Sequence, residues 1–314
     1  MSIETITGSC RVALAELGRV RAALFLVLVG LIGYAYWGQP VEGTMTTYQW
    51  LTTHWRNISH YSHGPLIPLI AIGLAWWKRK EILAQPIQSV SWGAGVVAVT
   101  MLLYYAGVKA IQPRVTVISF VLLLYGLTFT LGGRGLFRAL FFPISFLFLM
   151  IPLNFLEERV AVPLRHLMAF SSTGALNLLG IETLRRGTAI IAPNVFSFDI
   201  ANPCSGIQSL MALTTVTAAY AYVTQTSQWK RWLLFCSAMP LAVLGNFVRV
   251  VGIALIAQNF GTKTAMELHD SVAGFIVFAV ALSAMVGIGW LLDFPYRQVW
   301  ARWTKPAASK RETP

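Results

Sequence analysis

Long apolar runs recur along this chain, and they constrain its fold more than any other feature. They are Ala22–Trp37, Trp92–Gly107, Val115–Leu131, Leu136–Pro152, Ile207–Val223, Trp232–Val248 and Val272–Leu292. Each is close to the roughly 20 residues that cross a bilayer as a helix. Only 11% of the residues are charged, whereas a soluble domain carries about a quarter, so a water-facing surface is excluded. In hydrocarbon every backbone group must find its bond inside the protein, which leaves helices for runs of this kind. A shorter run, Gly64–Trp77, is read as extending back into Ser59–His63. The expectation is an all-α polytopic membrane protein, a bundle of about eight transmembrane helices.

Charge orients the bundle. The net charge is +12, and most of the excess lies in alternate connections: Arg11, Arg19 and Arg21; Lys78-Arg79-Lys80; Arg134 and Arg138; Lys230-Arg231; and the tail from Arg297 to Arg311. Basic connections stay cytoplasmic. The charge is therefore topogenic, and no nucleic-acid partner is expected. Residues 1–21 read as a cytoplasmic segment, 22–292 as the membrane domain and 293–314 as a basic cytoplasmic tail. The first run lacks a defensible cleavage site and reads as an anchor. Lys109 and Arg114, on an outer connection, run against the pattern without overturning it.

One outer connection is long, 153–203. Within it Val162–Leu179 is apolar on one side and reads as an amphipathic or partly inserted helix. Thr188–Ile191 and Val195–Ile200 flank the turn signal Ala192-Pro193-Asn194, which predicts a small extracytoplasmic β-hairpin just before Cys204.

Three polar residues reach one membrane depth from different spans. Asn202 and Pro203 make a helix start, so Cys204 falls in a first turn, where free N–H groups favour a thiolate. Arg249 lies 17 residues beyond Trp232, roughly 26 Å along a helix, at the outer boundary of a core about 30 Å thick. An arginine there is a functional candidate. His269 precedes the last span on the same side. A thiolate, a cation for an oxyanion and an imidazole for protons suit acyl transfer. Asn246, one turn below Arg249, is a supporting candidate. His60 and His63 are three apart, but no third ligand is evident, so neither a metal nor a cofactor is expected. Cys236 reads as core.

Cys204-Ser205-Gly206-Ile207, Asn246-Phe247-Val248-Arg249 and the downstream His269 resemble the exosortase/archaeosortase family. The stretch Tyr61-Ser62-His63-Gly64-Pro65-Leu66-Ile67-Pro68, followed by Trp76-Trp77-Lys78-Arg79, resembles its early motif. The likeness runs from about Trp50 to Leu292. It implies a membrane cysteine transpeptidase with Cys204 as nucleophile, His269 as acid/base and Arg249 as stabiliser. His63, Asn202, Ser205 and Asn246 would support them. It implies substrates that are exported proteins ending in a short motif such as Pro-Glu-Pro, a transmembrane helix and a basic cluster. The acyl group would pass to water or to an acceptor amine or glycolipid. The implied site is the inner membrane, with both termini cytoplasmic and the active site on the periplasmic face. The rival readings are a transporter or flippase for polysaccharide or lipid, and a membrane acyltransferase using His269. Neither requires a reactive Cys204.

Overall fold

In the computed structural model the described residues are 27, 29–57, 61–86, 88, 90, 93–152, 154–200, 207–268 and 274–294. They fall into two compact units that divide after residue 153.

The first unit opens with helical turns that end in a π-helical turn, Tyr34–Gly38. A small antiparallel ribbon follows, β1 (Pro40–Glu42) and β2 (Met45–Thr46), then α1 (Thr47–Asn57), α2 (Leu66–Trp77) and α3 (Arg79–Leu83). Two long elements complete it, α4 (Gly93–Lys109) and α5 (Pro113–Phe146), the latter running into a 3₁₀ turn, Leu147–Met150. Glycine lets α4 lie hard against α5. A side chain at Gly93 would meet Thr130 Oγ1 at 2.6 Å, and one at Gly107 would meet Thr116 Cγ2 at 2.9 Å. The start of α4 therefore faces the later part of α5 and its end faces the beginning, so they run antiparallel. Lipid offers no hydrophobic drive between helices, and close backbone approach through small residues takes its place. Buried hydroxyls add bonds: Thr47 Oγ1 to Thr116 Oγ1 at 3.0 Å and Tyr36 Oη to Ser119 Oγ at 2.9 Å.

α5 is not one rod. The Tyr125 hydroxyl donates to the Phe141 carbonyl at 3.1 Å. Sixteen residues of straight helix would hold those two about 24 Å apart. The chain reverses at Gly133, whose φ of 69° and ψ of −163° are non-helical, and Phe137 folds back to 5.7 Å from Phe129. Residues 113–132 and 134–150 are thus two antiparallel arms, and they match the two separate apolar runs of the sequence.

Among the described residues, Pro113–Met150, Gln228–Phe260 and Gly274–Asp293 are long and apolar enough to cross a membrane, and Leu66–Trp77 and Gly93–Lys109 are shorter apolar helices. α2 does not continue back through residues 61–63. Those residues form tight turns, with Gly64 N donating to Tyr61 O at 2.7 Å and Leu66 N to His63 O at 3.0 Å. At 12 residues, α2 spans only about 18 Å.

The second unit begins with α6 (Asn154–Leu178). A three-stranded antiparallel sheet follows: β3 (Leu184–Arg186), β4 (Ala189–Ala192) and β5 (Phe196–Asp199). The strands flanking Ala192-Pro193-Asn194 pair as β4 and β5, and β3 adds a third strand that period-2 patterning did not disclose. Asn177 Oδ1 closes the entry to the sheet by accepting from Thr183 N at 2.8 Å and Thr183 Oγ1 at 2.9 Å. Four helices complete the unit: α7 (Ile207–Thr224), α8 (Gln228–Phe260), α9 (Thr262–Leu268) and α10 (Gly274–Asp293).

α8 is the axis of this unit. Its early half packs Ala238 and Ala242 against Leu213 of α7 and Ala281 of α10. Its late part packs Val250, Ile253, Ala254 and Ala257 against α6, the sheet and Ala265 of α9. At the basic end Asp293 accepts from Lys230 Nζ at 2.8 Å and from buried Gln225 Nε2 at 2.9 Å. Cys236 lies exposed on the outward face of α8, which corrects its reading as a core residue.

Gly133→Ala should be severely destabilising. The φ/ψ region is accessible almost only to glycine, at a cost of about 1–3 kcal/mol for other residues. A new methyl would also lie 2.4 Å from the Gln88 carbonyl oxygen. Gly73→Ala, which meets nothing within 4 Å, is the control. Thermal unfolding in detergent should separate the two variants clearly.

Candidate functional site

Two of the site residues lie one turn apart on α8. Asn246 is 3% exposed and Arg249 is half-buried. Residues three apart share a helix face, so both side chains look the same way. They stand where the two packing environments of α8 meet, just after Ala242 and just before Val250. α10 starts at that level. A side chain on Gly274 would begin 3.8 Å from the Arg249 guanidinium carbon. Arg249 is thereby held beside Gly274, the first residue of α10.

Cys204, Asn202, Ser205 and His269 lie outside the described residues. The described chain brackets them. Ile200 is fully buried, and its N–H donates to Thr188 O at 3.2 Å. Ile207, the first residue of α7, is also fully buried. The segment carrying Cys204 is therefore anchored at both ends in packed protein, one end in the sheet and the other in the helix bundle.

His63 belongs to the first unit. It sits in the turn before α2, its ring 5.9 Å from that of Tyr61 and nearly parallel to it. Burial pulls its pKa below the ordinary 6.5, so the imidazole is neutral at pH 7. Among the described residues its Nδ1 is buried without a hydrogen-bond partner. The neighbouring Gly64 carries the indole of Trp55. A first side-chain atom there would lie 2.3 Å from Trp55 Cδ1, while Trp55 Nε1 donates to Met150 O at 3.0 Å. Trp55 is not among the residues singled out from the sequence, although a glycine beside a histidine and before a proline is the signal of such a close approach. His54 Nδ1 donates to the Trp50 carbonyl at 2.8 Å, and its ring lies tilted by 35° against the Trp50 ring.

The profile of the family described as transmembrane exosortase (Exosortase_EpsH) matches residues 55–287. The chain belongs to the transmembrane exosortase family. No curated protein and no solved structure matches it. The matched stretch of this exosortase begins at Trp55. It takes in the His63-Gly64 turn, the sheet, α7, all of α8 and most of α10. Asn246, Arg249, Cys204 and His269 all fall inside it. Family membership and the apolar helices make the chain an integral membrane protein, and they support a protein-sorting transpeptidase in general terms.

Gly64→Ala should displace Trp55 and cost its bond to Met150, about 1–3 kcal/mol with the carbonyl left buried. Trp55→Phe, which keeps an aromatic ring but leaves the same carbonyl without its donor, should cost about 1–3 kcal/mol, and Gly64→Ala more, because it also displaces the ring. Chemical denaturation of the purified protein would rank them. Protonating His63 is harder in the folded chain than in the unfolded one. Its contribution is complete above about pH 6.5 and is lost as pH falls through the depressed folded value. The unfolding temperature should therefore drop on acidification below that point, and His63→Gln should flatten the drop.

Proposed function

We propose that this exosortase cleaves C-terminal sorting signals of exported proteins at the outer face of the membrane through a thioacyl intermediate. The observation that carries the reading is the family match across one continuous stretch. That stretch holds Cys204-Ser205-Gly206, then Asn246 and Arg249, then His269, in this order. The placement of Arg249 on α8 against Gly274 at the start of α10 supports it, because His269 precedes Gly274 by five residues in the sequence.

In the proposed reaction the Cys204 thiolate attacks the scissile carbonyl carbon. A carbon–sulfur bond forms, and the carbonyl electron pair moves onto oxygen. Arg249 stabilises that oxyanion. Collapse breaks the carbon–nitrogen bond, and His269 gives the departing amine its proton. Water or an acceptor amine, relieved of a proton by His269, then attacks the thioester and releases the Cys204 thiolate. Asn246, Ser205, Asn202 and His63 are the supporting residues in this reading, Asn202 as the helix-capping residue that its place before Pro203 in the sequence predicts. The substrate is a protein with a short motif such as Pro-Glu-Pro, a transmembrane helix and a basic cluster. The enzyme sits in the inner membrane with both termini cytoplasmic. The tail's basic cluster would then lie on the cytoplasmic side and its cleavage motif at the outer face.

Cys204→Ala should abolish processing of a tailed substrate, and no thioacyl adduct should be trapped. Arg249→Ala should lower the rate by about 10²–10³-fold and His269→Ala by about 10²–10⁴-fold, with each variant still in the membrane fraction. A membrane-impermeant thiol reagent added from outside should inactivate the wild type. Normal processing by Cys204→Ala would end the nucleophile assignment and favour a transporter, a flippase or a histidine-dependent acyltransferase.

A further inference from the structure

α6 presents one face to the protein and one that is exposed. Met168, Ala169 and Leu176 are buried against Ile190, Phe196 and the late part of α8. A second face is exposed and apolar: Pro163, Leu167, Phe170, Gly174 and Leu178 recur every three or four residues, so they form one stripe. Phe170 is 68% exposed and Leu178 is 91% exposed. Arg159, His166 and Asn177 are exposed along one edge of this stripe. An exposed apolar stripe of this length, uncovered among the described residues, requires an environment other than water.

Helix lengths say which one. α10 has 20 residues, about 30 Å of helix, enough for the hydrocarbon core. α8 has 33 residues, about 50 Å, and the two overlap from Arg249 down to the end that carries Lys230. The part of α8 beyond Arg249 overshoots α10. That overshoot is what the buried face of α6 packs against. α6 therefore sits at the level where hydrocarbon gives way to headgroups. The cation placement agrees: the Arg185 guanidinium lies over the Phe170 ring, 5.9 Å from its centroid, beside the apolar stripe. Long cationic side chains take that position so as to reach lipid phosphates while their stems stay in apolar surroundings.

We propose that α6 is an interfacial helix. Its Pro163–Leu178 stripe is sunk into the outer leaflet of the bilayer that the chain spans, its polar edge is in water, and Arg185 meets the phosphate layer. The sheet that leads towards Cys204 is thereby held at headgroup height. The proposal rests on the membrane placement of α8 and α10 and is independent of which residue is the nucleophile.

The test uses the full chain with Cys10, Cys204 and Cys236 replaced by serine and one bimane-labelled cysteine introduced at a time. The protein is reconstituted in phosphatidylcholine carrying a spin label near the headgroup end of its acyl chain. Leu167→Cys and Leu178→Cys should be quenched at least twofold more than His166→Cys and Arg159→Cys. Equal or reversed quenching overturns the proposal. So does a stripe that is blue-shifted but unquenched, which would mean that a protein partner or a second copy covers it. Hydroxyl-radical footprinting of the unaltered chain in nanodiscs guards against variants that misfold. His166 should oxidise while Phe170 and Leu178 stay protected, and oxidation of all three at similar rates overturns the assignment.

Discussion

Inside hydrocarbon a backbone amide has no water to bond, and α8 meets that requirement along 33 residues, with one backbone bond forgone at Pro240. Everything in the second unit is referred to this helix. One stretch of it supplies small side chains, Ala238 and Ala242, for the approach of α7 and α10. The next supplies Val250, Ile253 and Ala254 for α6 and the sheet. Because the helix is continuous, the two environments keep a fixed distance and rotation. A polar residue at their junction is therefore held where hydrocarbon packing stops, and Asn246 and Arg249 occupy that junction. The far end is secured by Asp293, which joins the end of α10 to Gln225 and Lys230 at the α7–α8 turn.

The first unit solves the same problem with glycine. α4 and the first arm of α5 approach closely because Gly93 and Gly107 offer no side chain. The reversal at Gly133 lets a continuous apolar stretch double back, and Tyr125 then bonds across the two arms. Irregular backbone before α2 is seated by Trp55, whose indole lies on Gly64 and whose N–H reaches the Met150 carbonyl. A neutral imidazole at His63 belongs in such a place, since a charge there would face the cost of burial.

Membership of the exosortase family joins these parts to a chemistry. The matched stretch takes in both the Trp55 seat and the Arg249 junction. The thiol-based acyl transfer proposed above would need an anchored nucleophile and a fixed cation. Ile200 and Ile207, both fully buried, anchor the ends of the segment that carries Cys204. Arg249 takes its position from a helix too long and too well packed to move freely.

Much was legible in residue order alone. The apolar runs mark the described helices of the bundle because a bilayer fixes their length. The turn signal at Ala192-Pro193-Asn194 marks the β4–β5 connection because few residues tolerate that geometry. Asn246 and Arg249 share a face because the helical repeat dictates it. Other features depend on contacts between distant residues, to which local patterning is blind. The third strand, β3, exists because Leu184–Arg186 find β4 beside them, and α8 outlasts its span because α6 and the sheet bury its late face. α2 stops at Leu66 because the preceding turn is filled by Trp55. Cys236, apolar by type, faces outward because the neighbouring helices pack on the other side of α8. Sequence determined which segments are apolar enough to enter a membrane, since that is a transfer energy summed over neighbours. Only the tertiary structure decided which faces meet protein and which remain for lipid, since that depends on the partners each helix finds.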